Sequence, residues 1–137
     1  MSVCRDDLPP QPARFSEFLE LAYNAELTRA CHVLKALECA QDEALRREWR
    51  ERINEARARS AMLARMLGRL GADPGVEPRA AASGDCLLDA MELALRNGDL
   101  TAAEAVAREC VLLADVRCRQ TWRHVQQAMT AGATLAA

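Results

Sequence analysis

The sequence predicts an all-α protein: a four-helix bundle made of two helical hairpins joined by a long crossover link. Three observations predict it. Apolar residues recur every third or fourth position along four segments, and no run alternates with the period of two that a strand needs. The breaks between those segments are short, long and short. Composition agrees: 50% of the 137 residues are hydrophobic but only 4% are aromatic, which suits aliphatic and alanine packing between helices better than a β-sandwich.

Residues 1–14 read as a flexible N-terminal arm, because the prolines at positions 9, 10 and 12 oppose a regular helix. The first helix is predicted from Phe15 to Ala40, with Ser16 near its cap and an inner stripe of Phe15, Leu19, Ala22, Glu26, Ala30, Val33, Leu37 and Ala40. A short link follows, in which Asp42 is a fair N-cap. The second helix then runs to Leu70, on the stripe Trp49, Ile53, Ala56, Ser60, Leu63, Leu67 and Leu70; Gly71 ends it, with Asp73 and Pro74 beyond. The stretch GADPGVEPRAAAS, with two glycines and two prolines, is the longest break. A shorter third helix is predicted from Asp85 to Arg96, carrying Leu88, Met91 and Leu95 on its face. NGD forms a tight turn. The fourth helix starts at Leu100, capped by Asp99 or Thr101, and runs to Met129. Its stripe is Ala103, Ala107, Cys110, Ala114, Cys118, Thr121 and Val125, with Trp122 at the edge. The helices occupy residues 15–130 as one domain, and 131–137 form a C-terminal tail. At 1.5 Å per residue the second helix is roughly 40 Å long. Thirteen extended residues reach about 43 Å, so the long link can run the length of the bundle, as a crossover requires.

Charge and hydropathy exclude several functions. The formal net charge is −2, with Lys35 the sole lysine, so nucleic acid is not expected as a partner. No segment is apolar over the roughly 18 residues of a membrane span. The opening MSVCRDDLPPQPAR places two aspartates and three prolines where a signal peptide would be apolar, so a cytoplasmic location is expected and the six cysteines should be reduced thiols.

Several segments resemble a known family. FLELAYNAEL is similar to the first helix of rubrerythrin-related bundles, and MLARMLGRLGADP resembles the end of their second helix. LRNGDLTAAEAVARECVLLADVRCRQTW resembles the second hairpin of a bacterial ferritin-like family of unknown function linked to stress, with Asp115 seven residues before Trp122. The resemblance covers about residues 15–130 and implies a ferritin-like fold. Metal-active members of that fold use a Glu from each of two helices and a Glu-x-x-His from each of the others, because residues three apart share one helix face. Glu26 fits the first position. The second helix offers only Ala56 with Arg59, or Arg57 with Ser60, and the fourth offers Asp115-x-x-Cys118. No standard di-iron centre is therefore expected. Glu26, Asp115 and Cys118 are the residual candidates for iron or copper.

Other residues have simpler readings. A buried Glu26 needs a compensating charge, which Arg57 or Arg59 could supply; solvent at the bundle edge and a metal are the alternatives. Cys31 with Cys39, and Cys110 with Cys118, are eight apart and share a side of their helices, suiting core filling or, as the rival, soft Cu(I). His32 is expected near the surface, and His124 near the end of the last helix, where a cation suits the dipole. Phosphate loops, nucleophile elbows and zinc knuckles are absent from the sequence. The functional expectation is a non-catalytic structural or interaction role in stress physiology. A homo-oligomer is expected through Trp49, Trp122 and the alanine-rich fourth helix. The alternatives are an iron- or copper-binding oxidoreductase or storage protein, and an adaptor offering its arginine-rich second helix to an acidic partner.

Overall fold

The computed structural model describes residues 12–72 and 82–136. Four helices make up nearly all of this: α1 (Pro12–Leu37), α2 (Glu43–Arg69), α3 (Ala82–Arg96) and α4 (Leu100–Ala136). The all-α four-helix expectation holds, and no strand occurs among the described residues. None of these helices is long and apolar enough to cross a membrane.

Helix ends differ from expectation for local reasons. α1 begins at Pro12, inside the expected arm. Proline is tolerated in a first turn, where its missing N–H would have no helical partner. The rest of the arm, 1–11, lies outside the described residues. α4 continues to Ala136, through most of the expected tail, because its alanine-rich end contains no proline. Asp42 takes the extended N-cap conformation of α2 without a side-chain cap bond. Asp99 does cap α4: its Oδ1 accepts from the Ala102 N–H at 3.1 Å. Gly98, with φ +70°, makes the turn before it. Asp99→Ala should therefore destabilise the protein by about 1 kcal/mol, read by urea unfolding, whereas Asp42→Ala should cost clearly less. Equal losses would show that the two caps work through something other than that hydrogen bond.

Helix direction follows from which ends share a core. One apolar cluster joins Val33, Ala36, Cys39 and Ala40 of α1 to Leu45, Trp49 and Ile53 of α2, Met91 of α3, and Ala103, Ala107, Cys110 and Val111 of α4. The other joins Leu19 and Ala22 of α1 to Leu63 and Leu67 of α2 and Val125 of α4. The end of α1 thus meets the beginnings of both α2 and α4, and α1 is antiparallel to each. The turn at 97–99 makes α3 antiparallel to α4. Directions alternate up, down, up, down. This corrects the expected crossover, which would have set α3 parallel to α2 and α4 parallel to α1. α3 has only 15 residues, about 22 Å, so it covers half of α4 and the connection to it need not span the bundle. The link itself lies outside the described residues.

α1 is the hub. It packs on α2 and α4, while α3 lies on α4 and touches α1. The backbones of α2 and α4 stay more than 8 Å apart, and so do those of α2 and α3. A groove of about 580 Å³ therefore runs between α2 and α4, with α1 as its floor.

Candidate functional site: a charged layer between two apolar clusters

Between the two clusters the stripes turn polar or small. α1 contributes Glu26 and Arg29, α2 contributes Ala56 and Ser60, and α4 contributes Ala114 and Cys118, all buried. Glu26 is wholly buried and Arg29 is 5% exposed. A buried charge requires a partner, and here the partners come from every helix around it.

Glu26 Oε1 accepts a hydrogen bond from Trp122 Nε1 at 3.0 Å and lies 3.8 Å from Arg59 Nη1. Its Oε2 accepts from Arg29 Nη1 at 3.4 Å. Arg29 also reaches Glu55 at 3.6 Å and, through Nε, Asp115 Oδ1 at 3.0 Å. That last approach lies off the N–H axis, so it is a contact between charges rather than an aligned hydrogen bond. Asp115 is bonded in turn by Arg52, which also holds Glu48 at 2.9 Å, and Arg59 holds Glu55 at 2.7 Å. The guanidinium of Arg29 thus lies between the carboxylates of all three helices and forms the floor of the α2–α4 groove.

The expected salt bridge of Glu26 is present, and of the two arginines proposed for it Arg59 takes part while Arg57 is exposed. A second arginine, Arg29, stands closer to Glu26, at 3.4 Å against 3.8 Å for Arg59, and is absent from the sequence reading. Its signal was available, since it stands three residues after Glu26 and so shares that helix face. Trp122 was placed at the edge of the fourth-helix stripe, but its indole N–H bond to Glu26 was not foreseen. His32 corrects the surface reading: it is 5% exposed. His124 stacks on Phe18 with ring centroids 6.0 Å apart.

The three metal candidates, Glu26, Asp115 and Cys118, do come together. The arrangement does not fit a cation. Arg29 contacts both carboxylates, and an incoming ion would meet a fixed positive charge where it needs electron pairs. Without a metal, Cys118 is a neutral thiol. Burial first, then the neighbouring Glu26 carboxylate, push its thiol from 9.0 up to about 12. The neutral thiol lies 3.4 Å from the Ala25 carbonyl, to which it donates. Among the described residues no three His, Cys, Asp or Glu side chains are grouped to hold a metal.

No family model, curated protein or solved structure matches this chain.

The remaining cysteines divide by environment. Cys39 and Cys110 are buried, and burial raises both thiols; Cys31 and Cys86 are exposed. The predicted pairing of Cys31 with Cys39 on one side therefore fails, while Cys110 and Cys118 do share the buried face. Iodoacetamide at pH 8, read by peptide mass spectrometry, should label Cys31 and Cys86 at least about tenfold faster than Cys39, Cys110 and Cys118. The raised thiol also has a pH consequence. Its folded value exceeds the unfolded one, so the stability it contributes is complete below pH 9.0 and falls as pH rises towards about 12. Cys118→Ala should reduce that alkaline loss.

Proposed function

We propose that this chain is a non-catalytic, cytoplasmic helical protein that acts through contacts with other protein chains in stress physiology. One observation carries the reading: the charges at the floor of the α2–α4 groove are paired with one another, with Arg29 between Glu26 and Asp115. A reaction centre needs a nucleophile, a base with room beside it, or an open coordination position. Here the buried carboxylates are bound to guanidinium and indole donors, and the nearest thiol is held neutral. The stress setting comes from the resemblance of the quoted segments alone, since the alternating helix directions lack the crossover of that fold.

The second reading, an iron- or copper-handling protein, is favoured by the convergence of Glu26, Asp115 and Cys118 in one layer. Elemental analysis separates the two. Protein purified without chelator and then offered Fe(II), Zn(II) or Cu(I) anaerobically should retain less than about a tenth of an ion per chain after desalting. Near-stoichiometric retention that is lost on Glu26→Gln or Asp115→Asn would overturn the non-catalytic reading.

A further inference from the structure

α4 carries two opposite stripes. The buried one faces α1. The other runs Ala105, Glu109, Leu112, Val116, Arg119 and Arg123, and all six residues are exposed. Their spacings alternate four and three, the repeat by which one helix meets another along a seam. The centre of this stripe is apolar, with Leu112 61% and Val116 36% exposed. Leu112 and Arg119 also stand on the rim of the α2–α4 groove.

Among the described residues the charges flanking that centre have no ion-pair partner. Glu109, Arg119 and Arg123 take part in no ion pair among the described residues, although most charges of the neighbouring layer do. Their order is also self-complementary. A second α4 laid antiparallel, with the two-fold axis level with position 114, sets Leu112 against Val116 of the second copy, and the reverse. Glu109 then opposes Arg119 of the second copy, twice over by symmetry. Ala105 opposes Arg123, leaving room for the longer side chain. A parallel pairing would instead stack Glu109 on Glu109 and Arg119 on Arg119.

We infer that the outer stripe of α4 is an isologous interface, and that its occupant is the same stripe of a second copy of this chain. A two-fold contact must be self-complementary, and an apolar centre flanked by opposite charges at equal distances satisfies that condition. This deepens the interaction reading by naming the surface and the partner. Trp49 is buried in the core and the Trp122 indole N–H is bonded to Glu26, so the outer stripe does not include them. A single helix pair lies at the small end of interface sizes, among weak and transient contacts, so the test needs a high chain concentration, roughly 10–100 µM.

Sedimentation velocity over that range at low salt is the test. The expected result is a concentration-dependent shift from the 15.1 kDa chain to twice that mass. Leu112→Glu should weaken association by at least about 30-fold, since it charges the centre of the contact. Glu109→Arg should weaken it about tenfold by opposing two arginines, and adding Arg119→Glu should restore it to within about threefold. All these positions are exposed, and far-UV circular dichroism confirms folding of each variant. A wild-type monomer across the range would overturn the inference, as would a dimer indifferent to Leu112→Glu or a double swap no better than the single. Those outcomes leave the non-catalytic reading standing, because metal retention tests that separately.

Discussion

Replacing Arg29 with Met is expected to lower the unfolding free energy by about 3–5 kcal/mol, measured by urea denaturation at pH 7. Methionine keeps most of the aliphatic volume of arginine, so the loss reports charge rather than a cavity. Arg29 is 5% exposed and contacts Glu26, Glu55 and Asp115. Without it Glu26 remains wholly buried, with only the Trp122 N–H and the more distant Arg59 to balance it. The Arg59 side chain is 42% exposed, so water screens much of what it can add. The complementary variant Glu26→Leu should cost less, about 2 kcal/mol, because Arg29 keeps Asp115 and Glu55 while the Trp122 N–H loses its acceptor. The double variant is the decisive one. Removing both members leaves no uncompensated charge of the pair, so its cost should fall at least 1 kcal/mol short of the sum. Additive costs to within about 0.5 kcal/mol would mean that Glu26 and Arg29 do not act as a unit.

Leu63→Ala should destabilise by about 3 kcal/mol, and Leu70→Ala by less than about 0.5 kcal/mol, in the same assay. Both leucines belong to one periodic stripe of the second helix, and the sequence treats them alike. Leu63 is fully buried against Leu19, Leu67 and Val125, so truncation removes apolar contacts and leaves a hole. Leu70 is 46% exposed and sits beyond the last helical residue, where the chain turns at Gly71. A loss at Leu70 comparable to that at Leu63 would mean that the end of α2 is covered in solution.

Much of the fold was legible in the sequence. The second-helix stripe from Trp49 to Leu67 is buried in full, and so is the fourth-helix stripe at Ala103, Ala107, Cys110, Ala114, Cys118 and Val125. These readings held because an amphipathic helix repeats its buried face every 3.6 residues whatever it packs against. The site was half legible. Glu26 declared itself by interrupting an apolar stripe, and Arg59 by standing opposite on the next helix. Glu55 and Arg52 did not, because each is one polar residue among many on the charged face of the second helix, whereas Arg29 carried a readable signal three residues after Glu26.

Periodicity alone marks four amphipathic segments with approximate ends, and singles out Glu26 as the carboxylate that interrupts an apolar stripe. These are local properties, set by periodicity, caps and glycine. Long-range packing set the alternating helix directions, the burial of His32 and the place of Arg29 between Glu26 and Asp115. Helix direction depends on which ends share an apolar cluster, and those clusters join residues as distant as Leu19 and Val125. The partner of a buried charge is likewise chosen by whichever opposite charge packing brings within about 4 Å, a distance that spacing along one helix cannot report.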